Sequence, residues 1–228
     1  MLDDFFANFV PKSKRKDQRL LVLNGDIIDG FHHNTVNIVT NDISAQRKAA
    51  VKLIKKYLPD YDMAFVVRGT EAHVGQAAQE DDTIGKDIGA HQDENGDFSF
   101  WQLNLVCQNI LFNFAHHIGV TSSTAYESSA PMREMVAGFV EAGQWGKRLP
   151  NYVVRSHRHR YVKVVIPSQY GDVESIITPG WQLRTPFVER IDRMRMPHIG
   201  GIVFVIEEGI CTVKAKVYKL PEPEPILI

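Results

Sequence analysis

Four largely apolar runs in this chain each end in a cluster of polar residues. Leu20 to Leu23 leads into Asn24-Gly25-Asp26, and Ala64 to Val67 leads into Arg68-Gly69-Thr70-Glu71-Ala72-His73. Leu111 to Ala115 ends at His116-His117, and Tyr152 to Val154 ends at Arg155-Ser156-His157-Arg158-His159. Short apolar runs without alternation predict strands covered on both faces, the pattern of a parallel or mixed sheet packed between helices. In open sheets of that kind ligands sit beyond the carboxyl ends of the strands, where side chains distant in sequence converge. The pattern therefore points to an α/β architecture with its chemistry at strand ends.

The segments between these runs fit that architecture. A helix is expected from about Ser44 to Leu58, where Ala49, Ala50, Leu53, Ile54 and Tyr57 recur at helical spacing; Asp42 or Ser44 caps it and Pro59 ends it. Residues 75–97 read as a loop with a short helix. Phe98 to Cys107 and Ile110 to Ala115 read as a hairpin turning at Gln108-Asn109. A second helix is expected from Met132 to Ala142, with Met135, Val136, Phe139 and Val140 on one side and Gly143 as its stop. Val162–Ile166, Ser175–Thr178, Ile202–Ile206 and Cys211–Tyr218 read as strands, the last two joined at Glu208-Gly209. With no repeat and no linker, residues 1–220 form a single domain, and 221–228 an extended Pro/Glu tail.

Composition removes several classes of function. Twenty-six Lys and Arg against 27 Asp and Glu leave a formal charge of -1, so no global positive field draws in a polyanion, and a long duplex ligand is disfavoured. Any phosphate must be gripped locally. Cys107 and Cys211 make no CxxC, which excludes a disulfide framework and a thiolate zinc site; they read as buried apolar cysteines. No run approaches the roughly 18–20 apolar residues of a membrane span. The start, MLDDFFANFV, has neither a basic region nor a cleavage site, so the expected location is cytoplasmic, with no membrane partner. Trp101, Trp145 and Trp181 read as core or edge packing.

Eight of the nine histidines fall between residues 32 and 159. At the strand ends the donors are Asp26, Asp29, His73, His116, His117, His157 and His159, a nitrogen and oxygen set that suits Zn, Mn or Fe. Asp26 has two oxygens and can bridge two cations, and Gly25 beside it lets metal and substrate approach the backbone. The i, i+2 spacing of His157 and His159 places both rings on one side of an extended segment. Taken alone, His116-His117 also fit core-edge histidines bonded to backbone. His32 and His33 read as exposed loop residues, and His91 and His198 as surface residues. Arg68 and Arg155 suit either a substrate phosphate or a neighbouring carboxylate.

Gly25-Asp26-Ile27-Ile28-Asp29-Gly30 resembles the GDxxD motif of the calcineurin-like metallophosphoesterase family, and Ser156-His157-Arg158-His159 resembles its GHxH motif. Arg68 to Gly75 stands where the family has GNH followed by an acidic residue, and Ala115-His116-His117 stands at its strand-end metal histidine. Order and spacing stay in register from about residue 20 to 160. The RGTxxHxG loop is similar to that of phage and prophage members. Metallo-β-lactamase-like and cupin HxH sites fit less well, since Arg160-Tyr161 follow the second histidine and no glutamate appears before Glu174.

The resemblance implies an α/β metallophosphoesterase-like sandwich of two mixed sheets flanked by helices. It further implies hydrolysis of a phosphomonoester or phosphodiester, a nucleotide or nucleic acid among the candidates, by metal-activated hydroxide. Asp26 would be the bridging carboxylate, His116 a ligand of the second metal with His117 its competitor, His157 a ligand of the second metal and His159 of the first. The family's loop asparagine and following histidine correspond to Thr70 and Glu71, so His73 is expected to take over as metal ligand or as acid to the leaving group. The family's opening DxH strand has no counterpart ahead of Asp26. The chain is then expected to start one strand late, which leaves a fragment, a site reduced from two cations to one, or a non-catalytic member or interaction subunit.

Overall fold

The computed structural model describes residues 1–14, 16–31, 38–119, 123–169, 171–183 and 196–221. Ahead of the first strand, a helical segment runs from α1 (Leu2–Asp4) through Phe5–Phe9. β1 (Leu20–Asn24) then leads to α2 (Ile43–Tyr57), whose first turn is capped by Asp42 accepting the Ser44 N–H, and which gives way to a 3-10 turn at Pro59. β2 (Met63–Val67) lies parallel to β1, with Leu20 beside Met63 and Asn24 beside Val67. α3 (Glu71–Val74) and α4 (Gln79–Ile88) follow.

A five-stranded mixed sheet comes next, built from β3 (Leu103–Cys107), β4 (Ile110–Phe114), β5 (Tyr152–Arg155), β6 (Val162–Ile166) and β7 (Val173–Ile177) in the order β3-β4-β5-β7-β6. The central strands β4, β5 and β7 are parallel. α5 (Ser129–Trp145) crosses between β4 and β5. A long hairpin of β8 (Ile199–Glu207) and β9 (Ile210–Tyr218) completes the fold.

The alternation of side chains along each strand divides the core into layers. Phe65 and Val67 point to one face of β2 and meet Phe112, Phe114, Tyr152, Val154 and Ile176 of the large sheet, with Phe204 and Ile206 of β8 against them. Ala64 and Val66 point the other way, into Ile84 and Ile88 of α4 and Val51 and Ile54 of α2. The far face of the large sheet buries Val164 and Val173 against Met135 and Phe139 of α5. The result is a sandwich with helices outside, as the resemblance implies, although its thinner layer consists of two separate two-stranded sheets.

Several expectations need correction. Only Phe100 of the segment 98–102 bridges a strand, because its residues turn over α4 to reach Asp82 and Val67. The helix through Gly143 does not stop there. Glycine is tolerated in a helix at modest cost, and α5 continues to Gly146, whose φ of 62° ends it. Trp101 and Trp145 are exposed rather than packed, while Trp181 meets the Phe5 ring at 5.5 Å. Cys107 and Cys211 are free and half-buried. His198 is no simple surface residue: its Nδ1 accepts the Tyr161 N–H at 3.0 Å. The expected loop pair His32-His33 and residues 222–228 of the expected tail lie outside the described residues. Among the described residues, no helix is long and apolar enough to cross a membrane.

Candidate metal centre

The carboxyl ends of β1, β2, β4 and β5 meet. The Asn24 side chain at the end of β1 donates to the Ala115 carbonyl at 3.3 Å and to Ser156 Oγ at 2.7 Å, and Ser156 Oγ lies 2.8 Å from Thr178 Oγ1. One small amide thus ties together the ends of three strands from two sheets. Directly above it stand Asp26, His116 and His157, whose donor atoms all lie within 4.8 Å of one another.

His116 is buried, and its two ring nitrogens have different neighbours. Nδ1 is 2.6 Å from the Asn24 carbonyl oxygen, an acceptor only, so Nδ1 carries a proton. Nε2 then faces Asp26 Oδ2 at 2.8 Å. That distance is short, but the alignment is not that of a hydrogen bond, and Nε2 is a buried nitrogen without a hydrogen-bond partner; His157 Nδ1, 3.9 Å from the same Oδ2, is another. Burial disfavours the charged imidazole, yet the adjacent Asp26 carboxylate outweighs it and raises the His116 pKa. For Asp26, burial favours the neutral acid, but His116, His157 and His73 hold the carboxyl well below its ordinary range. Two buried imidazole nitrogens converging on one carboxylate oxygen fit a divalent cation of the Zn, Mn or Fe type.

Asp26 Oδ1 has other company. The Thr70 N–H reaches it at 2.6 Å, and the Thr70 hydroxyl lies 3.0 Å from Oδ1 and 3.2 Å from Oδ2. Beneath both loops sits Asp81, fully buried on α4. Its oxygens accept the Gly69 N–H at 2.7 Å and the Ile27 N–H at 3.3 Å, so one carboxyl fixes the loop after β1 against the loop after β2. Burial pushes the Asp81 acid up to about 7 against the pull of those two N–H groups. Asp81 belongs to no recognisable motif, and its one signal in the sequence is that it shares the buried face of α4 with Ile84, Gly85 and Ile88 at helical spacing.

The remaining expected residues surround this group without all joining it. His73 Nδ1 lies 2.8 Å from the Asp29 carbonyl, so Nε2 is its working nitrogen, 4.0 Å from Asp26 Oδ2. Asp29 Oδ1 accepts from Gln182 at 2.6 Å, which brings the segment after β7 to the rim. His117 lies against His157 with ring centres 4.9 Å apart and the planes tilted by 37°. Burial first, and then the positive potential of His157 and His116, depresses the His117 pKa. His159 stands apart from the group of three, its ring against Gly180, and burial together with His73 depresses it to about 4.

The segment holding His157 and His159 is not extended. The Arg158 N–H bonds the Ser156 carbonyl at 2.7 Å around His157, and His157 and His159 have φ of 66° and 48°. That turn, not a strand-like alternation, sends His157 to Asp26 and leaves His159 behind. Gly25 also does other work than expected. A Cβ there would lie 2.5 Å from His116 Nδ1 and 2.8 Å from Gly69 Cα, so its open side is filled by the protein itself. Arg68 and Arg155 both meet carboxylates: Arg68 pairs with Asp97 at 2.5 Å, and Arg155 with Glu134 at 2.5 Å.

No known family's sequence profile matches the chain, and no curated protein matches it. Among solved structures, it is similar to a Vps29 complexed with zinc from Entamoeba histolytica, at 12% identity and a TM-score of 0.43 over 87% of this chain and 97% of that one. A conserved Streptococcus pneumoniae protein described as a predicted phosphoesterase has 9% identity and a TM-score of 0.41 over 88% and 89% of the two chains. A Thermotoga maritima protein solved by NMR has 10% identity and a TM-score of 0.41, covering 89% of this chain and all of that one.

Proposed function

We propose that this protein is a metal-dependent phosphoesterase of the calcineurin-like kind, in which Asp26, His116 and His157 hold a divalent cation of the Zn, Mn or Fe type. The observation that carries the reading is the convergence of His116 Nε2 and His157 Nδ1, both buried and without hydrogen-bond partners, on one oxygen of Asp26. Asp26, His157 and His159 all take left-handed φ, at 50°, 66° and 48°, which shapes the loops that carry the donors.

A cation so held supplies Lewis acidity to a phosphoryl oxygen and lowers the pKa of a coordinated water. The chain's own groups do the rest. Asn24 and the Asn24–Ser156 bond hold the strand ends that carry His116 and His157. His73, its Nδ1 proton directed to the Asp29 carbonyl, presents Nε2 beside the cluster and is placed to pass a proton to or from the leaving oxygen. His117 and His159 border the same rim, and His159 contributes as a neutral imidazole near pH 7, since its pKa is about 4. Substrates in reach are phosphomonoesters and phosphodiesters, with nucleotides among them.

The test pairs metal analysis with turnover of a chromogenic phosphodiester and of a phosphomonoester in Mn and in Zn. Saturable cation binding with turnover, both lost in Asp26→Asn and His157→Ala, is the expected result. Cation binding with no turnover of either ester makes the domain a non-catalytic cation holder, and the absence of both refutes the metal reading altogether.

A further inference from the structure

We infer that the outer face of α5 is an interface and that its occupant is a second copy of this chain, packed antiparallel across a two-fold axis. Val136 and Val140 read in the sequence as companions of Met135 and Phe139, but the helix separates them. Met135 and Phe139 turn inward to Val164 and Val173. Met132, Val136 and Val140, each one turn from the next, turn outward and are 38%, 50% and 52% exposed. Apolar side chains exposed singly are ordinary on a protein surface, whereas a continuous stripe along successive turns of one helix marks a contact. The stripe is presented rigidly: on its inner side α5 is locked to β5 by the paired bonds of Arg155 to Glu134, so its outer face needs little reordering to bind.

The residues of the face specify what it meets. Arg133 and Glu141 are exposed on the same flank of the stripe, about two turns apart. Turning a copy end for end about an axis level with Ala137 and Gly138 keeps that flank and reverses the order, so Arg133 faces the partner's Glu141 and Glu141 faces the partner's Arg133. The same operation sets Met132 opposite the partner's Gly143, the longest side chain of the stripe against a residue with none, and brings Val136 beside the partner's Val140. One symmetry operation thus matches both charge and size, a correspondence that an unrelated protein would not require. Within one chain, Glu141 has only Lys147, at 3.8 Å and in solvent, a pair worth little. A net charge of -1 sets up no general repulsion between copies.

The full chain is followed by sedimentation equilibrium over about a hundredfold range of concentration, with circular dichroism confirming the fold of each variant. The expected result is a reversible equilibrium between monomer and dimer. Val136→Asp, which places an unpaired charge in the interface twice, should leave only monomer. Arg133→Glu and Glu141→Arg each set like charges opposite one another twice and should weaken the dimer by about tenfold, and the double variant should return it to within about threefold of wild type. Loss of packing or of helical propensity cannot produce that recovery. A wild-type chain that stays monomeric leaves the face to a different protein and overturns the inference, as does a dimer that survives Val136→Asp. A double reversal no stronger than either single one overturns the two-fold pairing. Cation binding and turnover are read separately, so none of these outcomes depends on the phosphoesterase reading.

Discussion

Nε2 of His116 lies 2.8 Å from Oδ2 of Asp26 while the other nitrogen of the same ring is committed to the Asn24 carbonyl. With Nδ1 protonated, a neutral His116 would point one lone pair at another. A proton on Nε2 or a cation held by both atoms relieves that contact, and the two exclude each other. Burial opposes the charged ring, but Asp26 overcomes it, so His116 titrates above its ordinary 6.5. Cation binding should therefore expel a proton from His116, and affinity should fall by about tenfold per pH unit below that pKa. Calorimetry at one pH in buffers of different ionisation enthalpy should show proton release close to one per cation. A buffer-independent heat at pH 6 would contradict this arrangement.

Without a cation, the same pair makes the fold sensitive to acid. The folded pKa of Asp26 is depressed below the ordinary 3.8, so its contribution is present above that value and is lost as pH falls through the folded pKa. His159, depressed from 6.5 to about 4, acts in the same direction: its contribution is complete above 6.5 and is lost as pH falls through 4. The cation-free protein should lose stability steadily between about pH 6.5 and pH 4 on this account, and His159→Gln should flatten that limb in a urea-denaturation series. An unchanged limb would remove His159 from the account.

Asp81 should matter more than any surface carboxylate. Removing it by Asp81→Ala strands two buried N–H groups, those of Gly69 and Ile27, at about 1–3 kcal/mol each before any cavity cost. Asp81→Asn keeps an acceptor for one of them and turns an NH2 toward the other, so an intermediate loss is expected. Because its pKa of about 7 exceeds the unfolded value, ionised Asp81 destabilises the fold, and its contribution is lost as pH rises through 7. The Asn variant should be less sensitive to pH than wild type between about pH 4 and pH 7, as read from denaturant midpoints.

Gly25→Ala tests the packing of the site rather than its chemistry. Gly25 has φ of 80°, and the added Cβ would lie 2.5 Å from the His116 ring. The backbone penalty alone is about 1 kcal/mol, and the clash must displace His116 or Gly69. A loss exceeding about 2 kcal/mol, with weakened cation binding, is expected. A variant of wild-type stability and affinity would show that the His116 ring does not fill this space.

The strands were legible because burial on both faces leaves an apolar signature, and β1, β2, β4 and β5 fall where the apolar runs place them. Donors at their ends were legible for the same reason: Asp26, His116 and His157 each lie within two residues of a strand end. What escaped depends on loop conformation and on partners distant in sequence. Residues 98–102 carry a strand-like pattern but serve to cover α4, with Ser99 bonded to Asp82 and Arg68. The separation of His157 from His159 is set by left-handed backbone that no i, i+2 rule anticipates. Asp81 lies in a run of acids, and only its helical spacing to Ile84, Gly85 and Ile88 separates it from its neighbour Asp82, which is not fully buried.

Arg155 is the strongest case of a site-adjacent charge that belongs to the fold. The sequence allowed it a phosphate or a carboxylate, and its guanidinium, 6% exposed, is fully engaged. It donates to Glu134 from Nε at 2.8 Å and Nη2 at 2.5 Å, to the Asn113 side chain at 2.7 Å, and to the Asn113 and Val154 carbonyls at 3.1 and 2.9 Å. It therefore locks α5 to the strand that presents His157. Arg155→Ala leaves the buried Asn113 acceptors without their donor, at about 1–3 kcal/mol each, while the partly exposed Glu134 is left to water. Arg155→Lys cannot reproduce the fork and should recover only part of this. If Arg155 instead gripped substrate phosphate, both variants would raise KM while leaving the denaturation midpoint in place, so the two readings separate on one urea titration and one kinetic series.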